Sequence, residues 1–209
     1  MPKPNEPILV ALVLAAGSSR RFGSDKRLFA YNGTPLLQRS LVIPIQLGLA
    51  TTVVLKPTDE LFLPSLLGCY LHHPLLKVVF ADDALLGMGH SLSAGIRSIL
   101  QSSKSVEGAL VFLADMPSLE VKTVRDIIRR FDSNKIVVPT YMATNGSLKA
   151  GHPVLFSRPW LKQLQKLSGD NGAKELLKKN PENIINVALD DKGIFLDIDH
   201  PAEVPGAKT

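Results

Sequence analysis

The residue types that handle phosphate are concentrated near the start of the chain. Residues 14–28 read LAAGSSRRFGSDKRL. Gly17 and Gly23 permit tight turns and let backbone N–H groups come close to a ligand. Arg21 and Lys26 stand beside them as cations, a combination that suits a polyphosphate. The spacing matches neither common phosphate fingerprint. A Walker A loop places four residues between its glycines and a lysine directly after the second. Here five residues separate Gly17 from Gly23, Lys26 comes three positions later, and there is no G-x-G-x-x-G. On spacing alone, a phosphate loop and a plain strand–helix connection with surface charges both stand.

Other candidates lie further along. Asp115 follows the apolar run ALVFL and precedes Met116-Pro117. That puts a carboxylate at the end of a strand, where open α/β sheets bind ligands; a helix cap is the alternative. Asp197 and Asp199 alternate with Leu196 and Ile198. On a strand both carboxylates share one face, where they repel unless a cation or solvent intervenes. A cap before Pro201 is the other reading. Ser91 suits a helix N-cap, and Asp170 and Asn171 could cap the helix after them. The five histidines show no metal-ligand spacing, so no zinc site is expected. A lone cysteine, Cys69, excludes an internal disulfide and reads as a small hydrophobe.

These residues need a scaffold, and the apolar pattern supplies one. Residues 8–14, 51–55, 77–80, 109–113 and 136–139 read as strands. Helical segments alternate with them: 34–47, capped by Thr34 with Pro35 at its first position and Pro44 late in it; a short one at 59–67; 87–100; and one capped by Ser118 running to Arg130. The alternation predicts an α/β fold, a Rossmann-like three-layer sandwich with a mostly parallel sheet. After Thr140 the rhythm breaks. Asn145-Gly146 signals a hairpin, 153–156 is a short strand, 159–167 and 173–179 are helical, and 184–188 and 194–198 are late strands. This part reads as a small mixed-β region.

At 209 residues a single domain is expected. The net charge of +5 comes from scattered short basic pairs, with few aromatic residues. A nucleic-acid surface would usually cluster its Lys and Arg, and a basic pocket for an anionic small molecule explains the charge equally well. No apolar run approaches the roughly 20 residues that span a bilayer, and MPKPNEP leads into no signal core. A cytoplasmic protein without membrane or nucleic-acid partners is therefore expected.

Beyond spacing, the opening stretch resembles a known signature. L-A-A-G-x-S/G-x-R-F/M-G-x-x-K marks the nucleotidyltransferases of the molybdenum cofactor group, the MobA-like NTP transferases, within the glycosyltransferase-A-like superfamily. It stands here as Leu14-Ala15-Ala16-Gly17-Ser18-Ser19-Arg20-Arg21-Phe22-Gly23-Ser24-Asp25-Lys26, matched at every defining position. The resemblance continues in order at GMGHSLSAGI (87–96), FLADMPSL (112–119), AGHPVLF (150–156), SGDNGAKELL (168–177) and DIDHPAE (197–203). It is strongest to the cytidylyltransferase branch, since the guanylyl branch more often has Ala-Gly-Gly where this chain has Ala15-Ala16-Gly17.

The resemblance implies a Mg²⁺-dependent transfer of a nucleotidyl group, CMP from CTP, to the molybdopterin-bound cofactor. It implies a nucleotide-binding half over residues 8–140 and an acceptor-binding, completing part over 141–203. Leu14, Ala15, Ala16, Gly17, Ser18, Ser19, Arg21, Lys26, Gly89, Ser91 and Asp115 fall to the nucleotide, with Arg20 a spectator. Arg21, Lys26 and Asp115 are the expected catalytic groups. Asp115 and Asp199, with Asp197 beside them, are the expected metal ligands. Gly151, His152 and Asp170 fall to the acceptor, His152 either donating to its phosphate or pterin or merely holding a loop. The same resemblance allows a transient contact with a molybdoenzyme or its maturation factor. Guanylyl transfer, a sugar or alcohol phosphate acceptor, and an inactive nucleotide-binding module are the competing readings.

Overall fold

The computed structural model describes residues 6–17, 22–143, 146–170 and 172–198. Expectations for Ser18, Ser19, Arg20, Arg21, Asn145, Asn171, Asp199 and Pro201 lie outside these residues.

The first strand, β1 (Leu9–Leu14), is buried along all six residues. Its side chains alternate between two apolar clusters, Val10, Leu12 and Leu14 on one face and Leu9, Ala11 and Val13 on the other. A strand with helices over both faces must be apolar throughout, which is why it reads as an unbroken run. A two-stranded ribbon follows, β2 (Ala30–Tyr31) with β3 (Thr34–Pro35), and leads into α1 (Leu36–Gln46). Next come β4 (Ala50–Leu55), α2 (Leu63–Leu67), β5 (Leu76–Phe80), α3 (Met88–Ser102), β6 (Gly108–Leu113), α4 (Val121–Arg129) and β7 (Ile136–Met142). The chain then runs through β8 (Leu148–Ala150), β9 (Val154–Ser157), α5 (Arg158–Leu164), α6 (Lys174–Lys179) and β10 (Ile184–Ala188).

In space the sheet runs β10–β7–β9–β6–β1–β4–β5, with β8 paired to β7. Strands β5, β4, β1 and β6 are mutually parallel, and β10 is parallel to β7. β9 is inserted between β6 and β7, antiparallel to both. The residues after Thr140 thus extend the same sheet. Helices α3 and α5 contribute Leu92, Ile96, Ile99, Trp160, Leu161 and Leu164 to one cluster. Helices α1, α2 and α4 contribute Leu37, Leu41, Leu66, Leu67, Val124 and Ile127 to the other. The three-layer expectation is met. Among the described residues no helix is long and apolar enough to cross a membrane.

Four local expectations are corrected. Thr34 and Pro35 form a strand rather than the start of α1, because the Leu36 N–H bonds back to the Phe29 carbonyl at 2.9 Å and closes the ribbon. Ser118 does not cap α4; its Oγ lies 3.1 Å from Tyr31 Oη. Asp191 supplies the capping carboxylate instead, accepting from the Glu120 N–H at 3.1 Å and from Thr123 Oγ1 at 2.6 Å. Ser91 is no N-cap either: α3 begins at Met88, and Ser91 is buried in its first turn.

The fourth concerns residues 194–198, which do not form a strand. Lys192–Ile194 is a 3₁₀ turn. Beyond it the backbone bonds to loop ends rather than to a sheet neighbour. The Ile194 carbonyl accepts from the His152 N–H at 2.6 Å, and the Ile198 N–H donates to the Asp115 carbonyl at 3.1 Å. The alternation that placed Asp197 and Asp199 on one strand face therefore has no strand to act on. Asp197 is exposed beside the buried Ile198.

Candidate active site

β1 and β6 are adjacent and in register, Leu14 beside Leu113. Their C-terminal ends mark the place where the chain order reverses across the sheet, the crevice that open α/β sheets use for ligands. Ala15 follows one strand and Ala114-Asp115 the other. A cavity of about 630 Å³ opens there, lined among others by Leu14, Ala15, Ala16, Gly17, Lys26, Ser91 and Asp115. Lys26, Arg27, Asp115 and Asp170 supply its charge, and Leu85 and Met88, both exposed, add apolar surface. A ligand that carries both an anion and a flat apolar ring would find both kinds of surface.

Lys26 Nζ donates to Asp115 Oδ2 at 2.9 Å across 89 positions of sequence. Lys26 is nearly buried, and Asp115 is the more open partner. The other carboxylate oxygen, Asp115 Oδ1, is buried and has no hydrogen-bond partner among the described residues. A buried, unpaired carboxylate oxygen is costly unless something binds it. A divalent cation with oxygen ligands fits that vacancy in bonding. Among the described residues no three acidic, histidine or cysteine side chains converge on a metal. Asp115 is therefore the one expected metal ligand whose place in the cavity the structure describes.

The helix α3 side is held by close backbone contact. The Gly89 N–H donates to the Gly169 carbonyl at 2.8 Å. A Cβ on Gly89 would lie 2.7 Å from the Ser168 carbonyl oxygen, and one on Gly87 would lie 2.4 Å from Asp170 Oδ1. The two motifs meet because neither glycine carries a side chain. Asp170 consequently lines the same cavity as Lys26, Ser91 and Asp115, on the nucleotide side of the expected division.

Gly151 is bonded to Pro139 of β7, and His152 faces β6. His152 Nδ1 lies 3.3 Å from the Val111 carbonyl. Bonding there requires the proton on Nδ1, which leaves Nε2 an acceptor. Burial lowers the imidazole pKa, against the opposing pull of the Val111 bond and of the Asp115 and Asp197 charges. A neutral ring bonded in this way would present Nε2 as an acceptor. Gly151 is pressed against the 192–198 segment: a Cβ there would lie 2.1 Å from the Ile194 carbonyl oxygen. That segment joins His152 at one end to Asp115 at the other.

Asp25, Arg27 and Asp59 form a charged cluster beside Lys26 that the sequence does not single out. Arg27 is buried and bonded to both carboxylates. Burial pushes the Asp25 carboxyl up, but the Arg27 hydrogen bonds and charge, with Lys56, bring it below the usual carboxylate range. The only sequence signal was the charged run Asp25-Lys26-Arg27, which looks like any surface cluster.

The chain resembles known proteins along most of its length. Residues 11–184 match the sequence profile of the MobA-like NTP transferase domain. The chain is 30% identical to purine catabolism protein PucB of Bacillus subtilis, over 94% of each chain. It is 31% identical to a probable molybdenum cofactor guanylyltransferase of Pyrococcus horikoshii, covering 69% of this chain and 67% of that one. A solved structure, the homologue of Mycobacterium tuberculosis rv0371c from Mycobacterium sp. strain JC1, superposes with a TM-score of 0.76 at 28% identity, covering 93% and 92% of the two chains.

Proposed function

The chain belongs to the MobA-like NTP transferase family, and from that premise we propose that it transfers CMP from CTP to a phosphate of the molybdopterin-type cofactor, releasing pyrophosphate. The acceptor phosphate oxygen forms a bond to the α-phosphorus. The bond from that phosphorus to the bridging oxygen breaks, and pyrophosphate leaves with the electron pair. Every reacting group is anionic, so the work is alignment and charge neutralisation.

The observation that carries the reading is the Lys26–Asp115 pair at 2.9 Å, set between the ends of β1 and β6 at the cavity. Lys26 places a nearly buried cation where phosphate oxygens would lie. Asp115, with its unpartnered Oδ1, would hold Mg²⁺, which when bound neutralises phosphate charge. Among the described residues nothing stands within 4 Å of a Cβ on Gly17, which leaves room for a phosphate to approach the loop N–H groups. Residues 8–140 then serve the nucleotide and 141–203 the acceptor, with Asp170 crossing to the nucleotide side. His152 would accept a hydrogen bond from a pterin N–H through Nε2.

Support for a pyrimidine comes from Ala16, whose buried methyl stands in the cavity wall where glycine would leave more room. Guanylyl transfer is the second reading, favoured by the name of the Pyrococcus horikoshii relative. The test is pyrophosphate release with each NTP, Mg²⁺ and a molybdopterin-containing extract. CTP-dependent release is expected, and Asp115→Ala should keep the fold while turnover drops at least about 100-fold. Release with GTP alone overturns the base assignment. NTP binding without any release supports an inactive module, and an active Asp115→Ala sinks the role of that carboxylate.

A further inference from the structure

Arg27 follows Lys26 directly, yet its side chain turns inward and is 6% exposed. Its Nε donates to Asp25 Oδ1 at 2.8 Å. Its Nη2 donates to Asp25 Oδ2 at 2.6 Å and to Asp59 Oδ1 at 2.8 Å. Its Nη1 donates to Asp59 Oδ2 and, at 3.0 Å, to the Ala15 carbonyl. A guanidinium has five N–H donors, and all five are engaged. Although Arg27 borders the cavity, it has no donor left for a phosphate unless this cluster breaks.

The partners show what the cluster holds. Ala15 begins the loop that carries Gly17. Asp25 ends it and caps the short turn Lys26–Leu28, accepting from the Arg27 N–H at 3.0 Å. Asp59 is itself anchored by the Lys56 N–H at 2.9 Å. The Ala15 N–H is bonded to the Val54 carbonyl at 3.0 Å, so both flanks of Ala15 are tied. In a trans peptide the carbonyl of one residue and the N–H of the next point in opposite directions. Grasping the Ala15 carbonyl therefore also sets the direction of the Ala16 N–H, on a residue that lines the cavity.

We propose that Arg27 is a positioning residue for the nucleoside triphosphate: it clasps the two ends of the phosphate loop and so presets the Ala16 N–H and the turn that carries Lys26. This rests on the nucleotide reading above. Stability alone does not demand such a cluster, because apolar residues of similar volume often serve as well in a buried position. Directional bonds fix angles, and apolar contacts do not. Burial works against the guanidinium charge, but the bonds and charges of Asp59 and Asp25 outweigh it and raise the pKa, so the clasp stays charged.

The experiment measures dissociation constants for CTP, GTP and CMP with Mg²⁺ by calorimetry, alongside thermal unfolding, for wild type, Arg27→Lys and Asp59→Asn. Arg27→Lys keeps the charge and loses the planar fork. The triphosphate that wild type prefers should bind about 10- to 100-fold more weakly, measured well below the unfolding temperature. CMP, which lacks the β and γ phosphates, should lose less than about twofold, the span of an unaltered contact. Asp59→Asn removes one anchor and keeps the guanidinium; it should weaken triphosphate binding in the same sense and carries the test if the lysine variant does not fold. A lowered unfolding temperature with unchanged triphosphate affinity means the cluster is only structural and overturns the proposal. Equal losses for CMP and CTP overturn it as well. A wild type that binds no NTP instead overturns the nucleotide reading, and the wild-type measurement alone separates that failure from the other two.

Discussion

Gly151→Ala tests whether the 192–198 segment couples the acceptor side to Asp115. The added Cβ would stand 2.1 Å from the Ile194 carbonyl oxygen, 2.6 Å from the Ile194 carbonyl carbon and 2.7 Å from Ile194 Cγ1. Ordinary C···O contacts begin at about 3.3 Å, so roughly 1 Å of displacement is needed. Gly151 cannot retreat freely, because its N–H is bonded to the Pro139 carbonyl at 2.9 Å. The segment must move, and with it the Ile194 carbonyl that holds the His152 N–H and the Ile198 N–H that holds the Asp115 carbonyl. Overpacking of this kind costs about 1–3 kcal/mol. For a chain of this length that lowers the unfolding temperature by about 2–12 °C. A shift of about 1 Å at groups that align reactants lowers turnover by as much as about 100-fold. Triphosphate binding should fall less than turnover, since Gly17 and Ser91 lie outside the contact and Asp115, paired to Lys26, is the group that shares it. Calorimetric unfolding, nucleotide titration and pyrophosphate release read the three quantities separately. Unchanged stability and unchanged turnover would refute the coupling. So would a loss of turnover no larger than the loss of nucleotide binding.

Gly17→Ala should behave in the opposite way: among the described residues its Cβ meets nothing within 4 Å, so stability should move by less than about 0.5 kcal/mol. Triphosphate affinity should fall about tenfold, because the methyl occupies space beside the loop backbone; calorimetry showing wild-type affinity would contradict the phosphate-loop assignment. His152 predicts a pH dependence of stability. Burial lowers its folded pKa, against Val111, Asp115 and Asp197, so the unfolded chain takes up the proton first. Its contribution is complete above the unfolded value of about 6.5 and is lost as the pH falls through the folded value. Unfolding temperatures measured from about pH 7.5 to 5 should drop more steeply for wild type than for His152→Gln, and identical slopes would remove His152 as the cause.

Much of the fold was legible in local sequence. The run at residues 8–14 is apolar at every position, and such a run is buried on both faces wherever a parallel sheet forms. Strands β4, β5, β6 and β7 were found within a few residues for the same reason. Asn145-Gly146 indicated a hairpin, and β7 and β8 are paired antiparallel. Asp115 at a strand end and Lys26 near a glycine loop were each visible as candidates. Their pairing was not, because 89 positions separate them.

Errors clustered where a distant partner replaced a local one. Ser118 is a sound N-cap in isolation, but Asp191 reaches the start of α4 from 71 positions away and satisfies both Glu120 and Thr123. Residues 194–198 alternate like a strand. Their N–H and carbonyl groups are claimed instead by His152 and Asp115, which the sheet has already placed. Arg27 reads as a surface charge until β4 and the turn after it bring Asp59 underneath. Sequence by itself determined the periodic burial that builds the sheet, the loop composition suited to phosphate and the carboxylate at the end of β6. Tertiary structure alone decided which charges meet, which caps are used and which carbonyl His152 faces. Burial period is a property of neighbouring residues, whereas a hydrogen bond or ion pair exists only once folding has brought its two ends within about 3 Å.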